Sequence, residues 1–443
     1  MSVNTFHPLL TAERRAEWRL MRDCMDGEGA IKKQRSLYLP VPSGFPEENG
    51  VNPMYEAYIG RAQFPELLAP SVSAMIGIIH GQEPQIKIPA QLEYLYENAD
   101  GDGLPLEAFH RRITRELLVI GGYSVLTDAP EATGDPYLVG HCRDKLINWD
   151  TNWYVLDECS MQREGFIWNQ LDKYRVLMLD AEHYSMILHR GKDLNGEPIE
   201  VRGRGGSLLP RIPFAVASAV DLSPRVEAPP LIGVANAAKA IYQLSADYRH
   251  QLFMSGQETL VAINGDAPES VGAGVVHQMN GTESQTPDLK YVSPSCAGID
   301  AHDRAMQKNR EAAVQAGARL FEQTAQGAES GEAKRLRYAS ETATLTSVAQ
   351  NSCLLLERAL KNAAMIMGLP EDDIVVTPPS DLMDRTMSPQ DFAALFGVYS
   401  EGGMSWETYF ENGQRGGIFS PERTSEEEQN LLDGIPADGE EVV

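Results

Sequence analysis

The chain has 443 residues, more than one ordinary hydrophobic core accommodates, so we expect two or more structural regions. Its 42% hydrophobic and 23% charged content is typical of a folded soluble protein, and no apolar run reaches the roughly 18 residues of a membrane span. The net charge of −25 argues against a sequence-specific DNA-binding protein, because such a protein normally has a basic surface.

The cysteines and the amino terminus bear on the compartment. None of the five cysteines belongs to a Cys-x-x-Cys pair, and their spacing fits no zinc ligand set. We therefore expect reduced thiols in a cytosolic compartment. The first residues show no basic segment leading into an apolar one, so no secretory signal is expected.

Helical periodicity alternates with proline breaks in the first 120 residues. Helices are predicted at residues 11–25, 55–80, 89–98 and 104–120. Thr11 is a suitable N-cap for the first helix, and Pro65 and Pro70 divide or bend the second. Gly121 and Gly122 end the last of them, and a buried strand follows at 123–128.

Strand-like segments replace the helices between residues 136 and 214. Short runs of β-branched and aromatic residues alternate there with turn residues, which predicts an antiparallel sheet built from hairpins. Trp149, Trp153 and Trp168 lie in this part. We expect them to pack in the core or on hairpins rather than to form a base-stacking platform.

The second half of the chain is again helical. Helices are predicted at residues 229–255, 302–324, 332–367, 388–399 and 404–410. Short strands in a glycine-rich setting separate the first two, and Ser405 is a suitable N-cap for the last. Residues 421–443 hold eight acidic side chains against one arginine, which predicts a disordered, solvated tail.

Short motifs do not indicate an enzyme. Residues 98–103 resemble the start of an EF-hand calcium loop, but Phe109 stands where that loop needs a bidentate glutamate, so a tight turn is expected. Residues 202–206, Arg-Gly-Arg-Gly-Gly, are better interpreted as a loop than as a phosphate-binding segment in so acidic a chain. Hydrolase, metalloprotease and phosphate-loop patterns are absent, so no catalytic residue, metal site or cofactor is predicted.

Several local sequences resemble one known family. They are Tyr58-Ile59-Gly60-Arg61-Ala62-Gln63-Phe64, residues 98–109 and 121–128, residues 230–248, Ala316-Gly317-Ala318-Arg319-Leu320, Ser330-Gly331-Glu332-Ala333, residues 404–408 and residues 414–418. Together with the order of elements, they make the chain similar to the portal proteins of tailed bacteriophages, and within them to a portal-like family known as a domain of unknown function.

The resemblance implies an α+β portal fold that assembles as a ring, usually of twelve copies. Its expected parts are an N-terminal and wing region at 1–228, a stem helix at 229–256, a small α/β clip at 257–300, a second stem helix at 301–325, a tunnel loop at 326–331, a long wing helix and strand at 332–380, a short helical crown at 381–420 and the acidic disordered tail at 421–443.

The candidate functional residues lie where the two long helices join. The resemblance implies a mobile tunnel loop that faces DNA, formed by Gln326, Gly327, Ala328, Glu329 and Ser330. The charges that follow, at Glu332, Lys334, Arg335 and Arg337, either line the lumen or form ordinary i,i+3 and i,i+4 pairs on a helix surface.

The implied function is a non-enzymatic conduit at one capsid vertex. Double-stranded DNA would pass non-specifically during packaging and ejection, and an acidic or mixed wall would avoid gripping its phosphates. The implied partners are further copies of the chain, a large terminase, a head–tail adaptor protein and the major capsid or scaffold protein, with no membrane. The expected location is the virion, with the host cytoplasm during assembly. The alternatives are another head–tail structural protein without a DNA channel, or a cytosolic α+β enzyme.

Overall fold

The chain is a mixed α and β protein that forms two compact units, Met1–Pro379 and Ser380–Val443. A computed structural model describes residues 2–45, 52–82, 84–129, 134–180, 183–256, 258–266, 268, 270–271, 278–280, 285–292, 298–317, 331–379, 389–415, 417–420 and 423–433. For residues 315, 331–342, 389–391, 415, 432 and 433 it describes the backbone alone.

The helices of the first unit are α1 (Ala12–Asp26), α2 (Glu28–Lys33), α3 (Pro53–Arg61), α4 (Leu68–Ile79), α5 (Tyr94–Glu97), α6 (Leu106–Val119), α7 (Ile232–Ser255), α8 (Ile299–Gln315) and α9 (Gly331–Met367). The predicted helix at 55–80 is two helices, as the prolines between them indicate. Thr11 caps α1, because its side-chain oxygen accepts a hydrogen bond from the Arg14 N–H at 3.2 Å.

The strands of the first unit are β1 (Gln85–Lys87), β2 (Gly122–Asp128), β3 (Tyr137–Cys142), β4 (Leu146–Asp150), β5 (Trp153–Asp157), β6 (Ser160–Glu164), β7 (Ile167–Leu171), β8 (Lys173–Asp180), β9 (His183–Arg190), β10 (Pro198–Glu200), β11 (Phe214–Ser218), β12 (Thr259–Ile263), β13 (Asp288–Val292) and β14 (Val375–Thr377).

The strand pairings confirm an antiparallel architecture built from hairpins. The largest sheet has the order β10-β9-β8-β5-β4, and a second sheet has the order β11-β2-β3. Among the described residues, three two-stranded sheets accompany them, formed by β6 with β7, β12 with β13, and β1 with β14. Trp149 is buried, as predicted, whereas Trp168 lies on the β6–β7 hairpin with 60% of its surface exposed.

Helix α9 is the central packing element of the first unit. From Leu345 to Met367 its buried side chains face α6, β2, β11 and β14. Hydrogen bonds fix it to the smaller sheet: Thr127 Oγ1 donates to the Ala359 carbonyl at 3.0 Å, and Asn351 Nδ2 donates to the Ser218 carbonyl at 3.3 Å. The sheet and the second half of α9 therefore share one core.

The two strands β2 and β3 come close at a glycine. Tyr123 is fully buried, and its ring crosses Gly140 so closely that a Cβ atom there would lie 1.9 Å from the Tyr123 hydroxyl oxygen. That hydroxyl has no hydrogen-bond partner among the described residues. Only glycine leaves room for the aromatic side chain at this position.

Gly140→Ala is expected to destabilise the protein by about 1–3 kcal/mol, because the added methyl group overpacks a closed part of the core. The midpoint of urea unfolding measures the effect. Combining it with Tyr123→Phe, which removes the clashing oxygen, should recover part of the loss. If the double variant loses as much stability as the two single variants together, the contact between the added methyl group and the Tyr123 hydroxyl is not the cause of the destabilisation.

The second unit contains α10 (Pro389–Ser400), α11 (Trp406–Arg415) and α12 (Ser425–Asp433). Aromatic rings of α10 and α11 pack together, with Tyr399 stacked on Tyr409 at a centroid distance of 4.8 Å. Ser405 caps α11 as predicted, since its hydroxyl oxygen accepts a hydrogen bond from the Thr408 N–H. Helices α10 and α11 lie within the segment that the sequence analysis expects to be a short helical crown.

Two expectations require correction in the described residues. Helix α12 occupies part of the expected disordered tail, because Thr424 and Glu427 form a reciprocal capping box and Trp406 Nε1 donates to the Ser425 carbonyl. Helix α8 ends at Gln315 rather than near residue 325, and Gly317 follows with a φ of +132°. Strands β12 and β13 confirm the short strands expected between the two helices, and the assignment of residues 257–300 to a clip stays a prediction.

Candidate functional site: a helix pair with a terminal hairpin

Helices α7 and α8 form an antiparallel pair that the hairpin β12–β13 joins. Helix α7 is buried against the N-terminal helices over most of residues 234–246, where Ser245 Oγ accepts a hydrogen bond from the Gln63 N–H and donates to the Gln63 carbonyl. Two residues later Tyr58 donates its hydroxyl proton to Asp247. Helix α7 is thus anchored in the first unit as far as Asp247.

The rest of the pair is more open to solvent. Leu252, Phe253 and Met254, at the end of α7, keep 40%, 39% and 44% of their surface exposed. On the hairpin, Tyr291 and Val292 are 56% and 45% exposed. The end of the pair that carries the hairpin therefore presents apolar side chains, which are typical of a surface that binds another protein.

Small residues allow α7 and α8 to approach closely at both ends. A Cβ atom at Gly233 would lie 2.7 Å from the Ala316 Cβ, and one at Gly317 would lie 2.9 Å from Leu231. At the other end, a Cβ atom at Gly298 would meet the Gln251 side chain at 3.0 Å. The spacing of the two helices depends on the absence of these atoms.

Gly233→Ala is expected to destabilise the helix pair, although alanine raises helix propensity by up to about 1 kcal/mol. The reason is the contact with Ala316, whose backbone belongs to the facing segment. Ala316→Gly in the same chain should restore stability. Gly60→Ala in α3 is the matched control, since a Cβ there meets nothing within 4 Å, and thermal unfolding should show it to be neutral or stabilising. Equal melting shifts for the two alanine variants would contradict the close approach.

The charges on the pair are balanced rather than acidic. Helix α7 carries two basic residues and one acidic residue, and α8 carries three of each. The net charge of −25 therefore lies elsewhere in the chain. A balanced surface neither binds phosphates strongly nor repels them over a long distance.

The structure describes the predicted loop and the charges after it only in part. Gln326, Gly327, Ala328, Glu329 and Ser330 lie outside the described residues. Glu332, Lys334, Arg335 and Arg337 lie in the first two turns of α9, where the backbone is helical. Their side chains are outside the description, so the choice between lumen charges and helix-surface pairs stays a prediction.

A buried group formed by His110, Ser352 and Cys353 has a structural role. His110 Nε2 lies 3.0 Å from Ser352 Oγ and 3.7 Å from Cys353 Sγ, and all three side chains are buried. Burial lowers the pKa of His110 to about 3 and raises the pKa of the Cys353 thiol to about 12. A neutral imidazole beside a protonated thiol, closed to solvent, is not an activated nucleophile.

The segment that resembles the start of an EF-hand loop forms the expected turn. Residues 98–103 form a turn before α6, in which Asp100 Oδ1 accepts hydrogen bonds from the Asp102 and Leu104 N–H groups. In the described ranges no three His, Cys, Asp or Glu residues are grouped to hold a metal ion. Nor does any helix in those ranges combine the length and apolar character needed to cross a membrane.

Residues 230–367 match the family model described as "Domain of unknown function (DUF4055)". The matched segment runs from just before α7 to the last residue of α9, so it contains the helix pair, the hairpin and the long helix. It spans less than half of the chain. No curated protein matches.

Among solved structures, the chain is distantly similar to chains of gene transfer agent (GTA) particles. It is 14% identical to a chain from "Neck of native GTA particle computed with C12 symmetry", with a TM-score of 0.41, covering 84% of this chain and 90% of that one. For "Neck of empty GTA particle computed with C6 symmetry" the identity is 13%, the TM-score 0.41 and the coverage 80% and 90%. For "Virion of native gene transfer agent (GTA) particle" the identity is 15% and the TM-score 0.40, and the match covers 84% of this chain and 90% of that one.

Proposed function

We propose that this chain is the portal protein of a tailed bacteriophage or a related particle, a ring-shaped conduit for double-stranded DNA without enzyme activity. The observation that carries the proposal is the element order of residues 232–367: an anchored helix, an exposed β-hairpin, an antiparallel return helix and one very long helix. This order agrees with the one that the sequence resemblance implies.

The proposal assigns a role to each of these elements. The pair α7–α8 is the stem, the hairpin β12–β13 is the clip and α9 is the long wing helix. The exposed apolar residues at the hairpin end of the stem suit a docking surface, first for a large terminase and later for a head–tail adaptor protein. The expected assembly is a ring of twelve copies that also contacts the major capsid or scaffold protein.

The charge distribution supports a passage through which DNA moves. Each phosphate that a protein neutralises strengthens its hold on DNA, so a basic lumen would oppose translocation by a separate motor. The balanced charges of α7 and α8 avoid that grip. On this proposal residues 326–330 form the loop that faces DNA, and Glu332, Lys334, Arg335 and Arg337 lie beside it.

Electron microscopy of the purified full-length chain tests the proposal. The expected result is closed rings with a central hole. Monomers, or rings without a hole, would overturn the channel and leave a head–tail structural protein of another kind.

Deleting residues 326–330 is expected to leave the rings intact and to reduce DNA packaging or retention in an assembly assay. The reason is that a loop facing the lumen contributes to DNA handling and not to the contacts between copies. A deletion that abolishes ring assembly instead would show that the segment is a structural connection between helices.

A further inference from the structure

The hairpin β6–β7 is exposed along its whole length. Within the described part of the chain, the side-chain hydrogen bonds of residues 160–171 reach no further than Asp172. The turn residue Phe166 is 96% exposed, and Ile167, Trp168 and Met161 are 66%, 60% and 57% exposed. An isolated two-stranded hairpin is marginally stable in water, so an apolar one is expected to be covered in the assembled protein.

The same chain contains a pocket of suitable size and character. It has a volume of about 250 Å³. Apolar side chains form most of its walls, namely Met186, Ile199, Val201, Ile366 and Met367, and its charged lining residues are Asp128, Glu200, Arg202 and Arg204. An apolar cavity of about 150 Å³ is enough to hold benzene, so this pocket has room for an aromatic ring. It opens beside β10, an edge strand of the largest sheet, where backbone groups are open to a partner.

The acidic residues of the pocket already have cationic partners, since Asp128 pairs with Arg175 and Glu200 pairs with Arg202. The charges left without an ion-pair partner within the described chain are opposite in sign at the two places. Glu164 stands next to the turn of the hairpin, and its carboxylate accepts a hydrogen bond from Asn169 at 2.9 Å. Arg204 stands at the pocket, where its guanidinium contacts the Met367 sulfur at 3.6 Å. Both residues are exposed, and neither takes part in an ion pair with another described residue.

The hairpin does not reach the pocket of its own chain. It leaves the sheet after Asp157, which pairs with Tyr174, whereas the pocket lies at Met186, across the strands from Leu177. At roughly 3.3 Å per residue these positions are about 10 Å apart along the strands, and the hairpin extends away as a separate sheet. A side chain of this hairpin can therefore reach such a pocket only on a second copy of the chain.

We propose that the β6–β7 hairpin of one copy inserts Phe166 and Trp168 at the apolar pocket of the next copy, with Glu164 of the hairpin pairing with Arg204 of that pocket. A contact between two different surfaces of identical chains closes into a ring when its rotation allows. This inference rests on the proposed ring-forming function and names the surfaces that build the ring.

Charge reversal on the full-length chain tests the contact. Glu164→Arg alone and Arg204→Glu alone should each raise the concentration at which half of the assemblies dissociate by at least tenfold, as mass photometry measures it. The double variant should return to within about threefold of the unmodified chain, because the ion pair is restored in the opposite sense. Additive losses in the double variant would overturn the pairing.

Removing the apolar anchors provides a second measurement. Phe166→Ser combined with Trp168→Ser should raise the dissociation concentration further without lowering the melting temperature of the monomer, since both side chains are exposed. Leu194→Ser is the matched control, because Leu194 is 57% exposed and belongs neither to the hairpin nor to the lining of the pocket. An equal effect of the control, or none of the hairpin variant, would contradict the inference.

The outcomes separate this contact from the portal proposal. If all four variants form closed rings with a hole and dissociate at the same concentration as the unmodified chain, the hairpin contact is refuted and the portal proposal stands. Open chains that depend on Glu164 and Arg204 would support the contact and refute the channel. A chain that stays monomeric at every concentration would refute both.

Discussion

Replacing Glu158 by glutamine is expected to lower the free energy of unfolding at pH 7 by about 3 kcal/mol. The carboxylate is 13% exposed and lies among three cationic or protonatable side chains: Lys173 Nζ at 2.7 Å, Arg175 Nε at 2.7 Å and His141 Nε2 at 3.5 Å. The Arg175 Nε is close to Glu158 but out of line for a hydrogen bond, so that contact is mainly one of charge. Glutamine keeps the shape and removes the charge that these groups share.

The pKa of Glu158 gives the magnitude. Burial alone would raise it, but His141, Arg175 and Lys173 lower it from 4.5 to about 2. Since one pKa unit corresponds to about 1.4 kcal/mol, this difference is worth roughly 3 kcal/mol. Because the folded pKa is the lower one, the stabilisation is complete above pH 4.5 and is lost as the pH falls towards 2.

Urea unfolding at pH 7 and between pH 2 and 5 measures both effects. The Glu158→Gln chain should lose stability at neutral pH and should show a weaker loss between pH 4.5 and 2 than the unmodified chain. Glu200→Gln is the matched control, because Glu200 pairs with Arg202 at 2.8 Å but is 61% exposed. A comparable loss of unfolding free energy in both variants would mean that the buried Glu158 ion pairs stabilise the protein no more than an exposed pair does.

Local signals in the sequence predict much of this fold. Thr11 and Ser405 are capping residues in the structure as in the sequence, because a side-chain cap depends on three or four consecutive residues. Gly121 likewise lies between α6 and β2, and Gly122 is the first residue of the strand. The antiparallel hairpins follow from the short strands and turns between residues 136 and 214.

Long-range contacts explain where the sequence analysis was wrong or silent. Helix α8 ends at Gln315 because Ala316 and Gly317 pack against the start of α7, a contact between residues about eighty positions apart that no local pattern shows. Strand β1 pairs with β14, although the two strands lie near opposite ends of the sequence of the first unit. The periodicity of a local segment cannot predict such a pairing. Propensity describes the chain near each residue, and tertiary contacts override it.

The candidate site was predictable only in outline. The order of helix, hairpin and long helix follows from periodicity, and the apolar turn around Phe166 is visible in the sequence. The exposure of this turn is not visible in the sequence. An apolar strand segment predicts burial, and only its neighbours in the folded chain show otherwise. The pocket at Met186 and Ile366 joins a strand to the end of α9, and only the folded chain brings these residues together.

Leu356→Ala is expected to destabilise the first unit by about 2–5 kcal/mol. Leu356 is fully buried in the half of α9 that packs against the smaller sheet, and truncation leaves a cavity that the rigid neighbours do not close. The midpoint of urea unfolding measures the loss. Leu354→Ala makes the same change on the same helix at a side chain that is 40% exposed, and it should cost less than about 1 kcal/mol.

The same pair of variants tests how α9 is anchored. Thr127 and Asn351 tie the second half of the helix to the sheet, while Glu332 and Lys334 lie near its first residue. If the buried half holds the helix in place, Leu356→Ala should increase hydrogen exchange along the whole of α9, including its first turns, and Leu354→Ala should not. Exchange that rises only around residue 356 would mean that the first turns are held by contacts of their own, independently of the sheet.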